Sequence, residues 1–164
     1  MSPERKASNA LLKRWAATVT GDVLSIGSST DQDGAGKHYR EYFTAAQSYT
    51  TSEVKPGCDL VLDVRSMPTV ADGRYDALFV SGVLEHVDDI WSAVRECARI
   101  LKPGGVLLLG VPFWQQIHRA PQDFWRFTAS AVRYLLEHLF VIDDLVAIGY
   151  PLSPATYWVK ARRA

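Results

Sequence analysis

Val23-Leu24-Ser25-Ile26-Gly27-Ser28-Ser29-Thr30 is the stretch whose reading decides the fold. Val23, Leu24 and Ile26 are apolar and Gly27 follows at once, the pattern of a buried strand running into a tight turn. A strand covered on both faces belongs to a parallel sheet. In open parallel sheets, ligands sit outside the carboxyl ends of the strands, near the point where strand order reverses. Gly27, Ser28 and Ser29 supply small side chains that let a ligand lie against the backbone there. The turn alone is unspecific. The dinucleotide fingerprint asks for glycine at three spaced positions, and Ser29 stands where the second would fall. Gly34 and Gly36 come too late to restore it, so an ordinary turn in an α/β core fits equally well.

Outward from this stretch, strands alternate with helices. Residues 3–17 pattern as a helix, with Ser2 as cap, Pro3 at its first position, and Leu11, Leu12 and Trp15 on one face. The first strand is expected at 22–27 and a helix at 35–44, carrying Tyr39, Tyr42 and Phe43. Strands follow at 48–53, ending on Glu53, and at 59–64. The link between these two is too short for a crossover helix, so the sheet is expected to be trimmed there. Residues 75–82 form the fourth strand, 88–101 a helix ended by Pro103-Gly104-Gly105, and 106–112 a fully buried fifth strand. After an aromatic loop comes a helix with Ala129, Val132, Leu135 and Leu136, then strands near 139–148 and 156–162. The expectation is one α/β domain over 1–164 with a Rossmann-like, doubly wound sheet, one crossover helix being reduced or missing.

The bulk numbers narrow the function classes. The chain has 164 residues, 48% of them apolar and 22% charged, enough for one sizeable core. With 18 basic and 18 acidic side chains the formal net charge is zero, so no nucleic-acid partner is expected. Two cysteines, Cys58 and Cys97, without a CxxC or a histidine cluster at metal spacing, predict neither a disulfide framework nor a metal site. A reducing cytoplasm fits that usage. The amino terminus is charged and lacks the apolar core of a signal peptide, and no apolar run approaches the roughly 20 residues of a membrane span. No membrane association is therefore expected.

Several features fall on the carboxyl ends of the predicted strands. Glu53 is placed to take both hydroxyls of a ribose, one on each carboxylate oxygen; the bland alternative is a surface loop residue. Asp63 ends the third strand, where it can accept from an exocyclic adenine amine or simply cap the turn before Ser66 and Pro68. Ser81-Gly82-Val83-Leu84-Glu85-His86-Val87 follows the fourth strand and puts two titratable residues just outside it, unless they only cap the next helix.

The segments VLSIGSST, YTTSEV, CDLVLDV, RYDALFVSGVLEHV and ARILKPGGVLLLGVPF, in this order, resemble the class I S-adenosylmethionine-dependent methyltransferases, and within them the small type-11 branch. HRAPQDFWRFTASAVRYLLE resembles a subgroup that often accompanies surface-glycan or natural-product biosynthesis. The resemblance covers residues 20–148 and implies a seven-strand sheet with the last strand antiparallel. It implies S-adenosyl-L-methionine as cofactor, with Gly27, Ser28 and Ser29 at its methionyl part and Glu53 with Val54 at the ribose. Asp63 and the Val64 amide would hold adenine, and Ser81, Gly82 and Leu84 would line the sulfur side. Two departures stand out: Ser25 replaces a frequent acidic residue, and Ser29 a glycine.

Residues 113–128 interleave Phe113, Trp114, Phe124, Trp125 and Phe127 with Gln115, Gln116, His118, Arg119, Gln122, Asp123 and Arg126, as the wall of a small-molecule pocket does. A lid packing its aromatics on the core has the same composition. Methyl transfer asks for alignment and for removal of a proton from the acceptor. Imidazole takes up protons near neutral pH, which makes His118 the first base candidate and His86 the second. Asp123 can orient His118 or act alone, or form a loop-pinning pair with Arg126. The expected activity is methyl transfer to an O or N atom of a small metabolite such as a sugar or natural-product intermediate. Competing classes are a non-catalytic accessory or binding protein with the same fold, an enzyme that holds the cofactor without transferring its methyl group, and a nicotinamide-dependent oxidoreductase. With only 1–18 and 113–128 to cover the pocket, either it is open or a homodimer closes it.

Overall fold

The computed structural model of the chain describes residues 1–118 and 122–164. In chain order the elements are α1 (Pro3–Ala16), β1 (Gly21–Ile26), a 3-10 turn (Tyr39–Tyr42), β2 (Ala46–Glu53), β3 (Leu60–Val61) and β4 (Tyr75–Ser81). A second 3-10 turn (Leu84–His86), α2 (Ile90–Ile100), β5 (Leu101–Pro112), α3 (Ala129–Leu136), β6 (Phe140–Tyr150) and β7 (Ser153–Arg163) complete them. The strands form one seven-stranded sheet in the order β3-β2-β1-β4-β5-β7-β6. β7 runs antiparallel to both of its neighbours, β5 and β6, and the remaining pairs are parallel. The chain steps outward from β1 to β3, then returns to lay β4 against the other side of β1. Strand order therefore reverses between β1 and β4, above Gly27.

Alternation along β1 divides the core. Leu24 and Ile26 face one layer, which α2 and α3 cover with Ile90, Val94, Cys97, Val132 and Leu136. Val23 faces the other, where Leu11, Leu12 and Trp15 of α1 pack with Phe79, Leu108 and Trp158. Helix α1 starts as its sequence dictates, with Ser2 capping the amide of Arg5 and proline in the first turn. The Asp89 carboxylate caps α2 in the same way by accepting from the Ser92 amide.

The expected helix at 35–44 does not form. The Asp33 carboxylate accepts from the amides of Ala35 (2.8 Å) and Lys37 (3.0 Å), and Asp31 accepts from the amide of Arg40 (3.3 Å). Side-chain acceptors thus capture the donors that a helix would use in its ladder, and only the 3-10 turn at Tyr39–Tyr42 survives. The aromatic periodicity still serves packing: Tyr39 and Phe43 meet Phe79 at ring-centroid distances of 5.0 and 5.9 Å.

The third strand is two residues long rather than 59–64. Asp59 turns back onto β2, accepting from the Thr51 amide and hydroxyl (both 2.8 Å). Such a brief parallel pairing dispenses with a helical crossover. The link from β3 to β4 has no α-helix either, and Met67 and Val70 pack directly under α2. Arg99 of α2 donates to the carbonyls of Met67 (2.9 Å) and Val70 (2.8 Å), while Glu96 accepts from the Met67 amide (2.6 Å). More than one crossover helix is therefore lost: the links β1–β2, β2–β3 and β3–β4 all lack one. The fifth strand starts at Leu101, not 106, and Lys102-Pro103-Gly104-Gly105 is a bulge within it between the Tyr75–Leu101 and Ala77–Val106 pairings.

Candidate cofactor and active site

A cavity of about 380 Å³ opens at the carboxyl ends of β1, β2 and β4, bordered by Gly27, Glu53, Asp63, Gly82, His86 and Phe124 among others. Its size falls within the range of small-molecule sites. A larger cleft of about 580 Å³ lies between α1 and the β6–β7 turn, lined by Arg5, Trp114 and Tyr150. The smaller cavity is the one at the switch point of the sheet, where α/β folds bind ligands.

Gly27 has φ +68°, and a β-carbon there would run into the Val83 side chain. Glycine is thus required twice over: the left-handed backbone and the packed valine both exclude a side chain. Both residues border the cavity, with Val83 forming a wall beside Gly27. Glu53, at the end of β2, also borders it; its Oε1 accepts from the Val54 amide at 2.8 Å. Val54, Val64 and Gly82 line the same space.

Asp63 lies on the cavity wall, but its carboxylate is already engaged. Arg65 donates to it through Nε (3.0 Å to Oδ1) and Nη2 (2.7 Å to Oδ2), and reaches Asp88 through Nη1 at 2.8 Å. The Arg65 guanidinium beside Asp63 holds its carboxyl below the usual carboxylate range. Asp63 also accepts from the Arg65 amide at 2.9 Å, so the turn-capping role weighed from sequence is present as well.

Four expected cofactor contacts lie off the cavity. Ser28 is spent on its own turn: its hydroxyl bonds to the Ser25 carbonyl (2.9 Å) and hydroxyl (2.8 Å). Ser29, at φ 46°, faces a separate cleft with Asp31, His38 and Cys58. Ser81 ends β4 against Gly110, and Leu84 is buried in the core below. Ser25, also buried, belongs to the same hydroxyl cluster, joined by Ser52, which donates to the Ser25 carbonyl at 3.0 Å.

Beside the cavity, the 3-10 turn after β4 brings together residues far apart in sequence. His86 Nε2 lies 3.2 Å from His118 Nε2, and the rings meet edge to face. Beneath them Glu85 is 2% exposed, and its Oε2 has no hydrogen-bond partner among the described residues. Burial pushes the Glu85 carboxyl above its usual range, against the pull of the two imidazoles. Sequence reading placed Glu85 beside His86 without a role; only the fold shows that it is buried and orphaned.

The aromatic loop closes over this turn. The amide of Phe124 donates to the Glu85 carbonyl (2.7 Å), Trp125 Nε1 to the Val87 carbonyl (2.7 Å), and the Phe127 amide to Pro112 (2.9 Å). Phe127 is buried and Phe124 borders the cavity, whereas Trp114 is exposed and lines the larger cleft. The loop is thus both lid and wall. The Asp123 carboxylate is almost wholly buried. Arg126 grips it, with Nη2 at 2.7 Å from Oδ2, and holds its carboxyl far below the usual range. Asp123 also accepts from the His118 amide at 2.9 Å. The Arg126 guanidinium and the His118 amide thus tie this part of the loop to the Asp123 carboxylate. Arg119 lies outside the described residues.

A family model described as a methyltransferase domain matches residues 36–109. Over that stretch the chain is similar to methyltransferase domains, and as a whole it has the fold of the S-adenosylmethionine-dependent methyltransferases. Among solved structures of this fold, a 1,6-didemethyltoxoflavin N1-methyltransferase from Burkholderia thailandensis, with bound 1,6-didemethyltoxoflavin and S-adenosylhomocysteine, superposes with TM-score 0.70 at 17% identity. That likeness covers 98% of this chain and 78% of the other. In sequence, the chain is 31% identical over 102 residues to a 37.1 kDa transposon-borne protein from Streptomyces fradiae, covering 62% of this chain and 26% of that protein. It is 36% identical over 76 residues to a ubiquinone biosynthesis O-methyltransferase from Bordetella bronchiseptica, covering 46% and 29%. The chain thus spans between a quarter and a third of the length of these two curated relatives. No helix among the described residues is long and apolar enough to cross a membrane.

Proposed function

We propose that the chain binds S-adenosylmethionine in the 380 Å³ cavity and directs its methyl group to an oxygen or nitrogen of a small metabolite. The observation that carries this reading is that Gly27, Glu53 and Gly82, from the ends of three adjacent strands, border one cavity at the point where strand order reverses. When bound, the cofactor supplies an electrophilic methyl group on a sulfonium whose departure is neutral, so no acid is needed on the donor side.

The remaining work falls to the chain's own residues. Glu53 accepts from the two ribose hydroxyls, and Gly27 with Gly82 allows close approach of backbone. Asp63 and the Val64 amide border the adenine end, with Arg65 competing for the aspartate. Phe124 keeps water from the reacting side. The His86–His118 pair, held over Glu85 and steadied by Asp123, relieves the acceptor of its proton. The ubiquinone O-methyltransferase relative supports an oxygen acceptor, and sugars or natural-product intermediates carry suitable hydroxyls.

The test is methyl transfer from isotopically labelled S-adenosylmethionine across a panel of hydroxylated and amino metabolites, read by mass spectrometry. With an accepted substrate, His118→Ala should lower turnover by about a hundredfold or more while leaving S-adenosylhomocysteine affinity unchanged. Turnover within a few fold of wild type removes His118 from the proton path. Binding without transfer to any acceptor favours a cofactor-holding protein that does not use the methyl group.

A further inference from the structure

We propose that Glu85, His86 and His118 form a site for one divalent cation of the zinc type at the mouth of the cavity, open on the side where an oxygen acceptor enters. The ligand atoms of the three residues lie within 4.8 Å of one another.

The tautomers argue for a cation. His86 Nδ1 sits against the Gln122 carbonyl, and His118 Nδ1 faces the Gln116 carbonyl at 3.3 Å, with Asp123 Oδ2 at 3.6 Å. Carbonyls and carboxylates only accept, so both Nδ1 atoms carry their protons. That leaves the two Nε2 atoms as the available lone pairs, and they stand 3.2 Å apart. Two acceptors so close need a shared proton or a cation, and the buried carboxylate of Glu85 beside them points to the cation. A histidine whose outer nitrogen donates to a carbonyl or carboxylate is also the usual arrangement of a metal ligand.

The spacing agrees. Two nitrogens each bonded to a tetrahedral zinc stand about 3.3 Å apart, given bonds of about 2.0–2.1 Å. Glu85 completes the set once its carboxylate shifts by roughly an ångström or two: its Oε1 lies 4.0 Å from His86 Nε2, and its buried Oε2 has no partner among the described residues. A buried orphan carboxylate calls for a cause, and a cation supplies one. Two imidazoles and a carboxylate leave a fourth position open, the pattern of catalytic rather than structural zinc. His86 and Gln122 border the cavity, so that position lies at its mouth. A hydroxyl bound there loses its proton to solvent water more readily, so with the cation in place the metal, not the bare imidazoles, activates the acceptor, which favours alcohols or phenols over amines. The sequence expectation of no metal site rested on linear spacing, and His118 is brought to His86 only by the loop.

The role in deprotonation rests on the methyl-transfer reading; the cation site itself does not. The experiment uses the full chain stripped with a chelator and titrated with zinc by calorimetry and with cobalt(II) by visible absorption. The expected result is one equivalent bound, with the intense visible bands of four-coordinate cobalt. His118→Ala, in an exposed part of the loop, should weaken zinc by roughly a hundredfold, and Glu85→Gln by roughly tenfold or more. Absence of zinc binding to the wild-type chain, or equal binding by His118→Ala, overturns the proposal. S-adenosylhomocysteine binding without metal binding overturns it too, and leaves the cofactor reading standing. Metal binding without S-adenosylhomocysteine binding supports the site and removes the cofactor reading.

Discussion

Arg65 is the residue whose position changes most what the cavity does. Its guanidinium bridges Asp63 and Asp88 at the end where the proposed cofactor would place its adenine, so that amine would compete for an acceptor already in use. Both partners of the Asp63 pair are about half exposed (46% and 41%), which keeps the pair weak. Arg65→Ala should therefore tighten S-adenosylhomocysteine up to about fivefold, measured by calorimetry. A tenfold loss instead would mean that Arg65 is itself a cofactor contact. That Glu53, Asp63 and Gly27 lie at strand ends around one cavity was legible in the sequence because apolar runs fix where the strands stop. Arg65 and Glu85 were not. One depends on a rotamer, the other on which face of a 3-10 turn is buried, and neither has a period to read.

Among the elements, β1, β4 and the second half of β5 were the more readable because burial on both faces writes a continuous apolar run. The stretch 35–44 misled because its aromatics keep a helical spacing while Asp31 and Asp33 take the backbone donors. The link from β3 to β4 replaces a helix by a clamp, in which Arg99 also reaches Asp72 at 2.6 Å and Glu96 accepts from the Met67 amide. Arg99→Ala should lower the unfolding free energy by about 1.5–3 kcal/mol in urea denaturation, because two carbonyls and two carboxylates, those of Asp72 and Glu96, lose a charged donor. An unchanged midpoint would show that water replaces the clamp at no cost. The Arg99 guanidinium holds the Glu96 carboxyl below its usual range. Its folded value is depressed, so the stabilisation is present above the unfolded value near 4.3 and is lost as pH falls through the folded one. Glu96→Gln should accordingly flatten the acid limb of stability against pH below about 4. An acid limb that keeps its wild-type slope would remove Glu96 from the linkage.

At the scale of the whole molecule, the order β3-β2-β1-β4-β5-β7-β6 explains why one turn can anchor a ligand. Reversal between β1 and β4 leaves a crevice above Gly27, and the two neighbours supply Glu53 and Gly82 to its rim. The loss of three helical crossovers thins the layer beside β2 and β3, yet the rim residues stay together because they hang from paired strands. The aromatic loop, tied down by Glu85, Val87 and Pro112, covers the other side. The central claim is that a sulfur-bearing nucleoside occupies this crevice with its sugar held by Glu53. Calorimetric titration of the wild-type chain and of Glu53→Ala with S-adenosylhomocysteine tests it most directly. The account predicts one site in the wild type and a loss of about tenfold to a hundredfold in the variant, the worth of charged hydrogen bonds to two hydroxyls. No binding to the wild type, or equal binding to both, would contradict it.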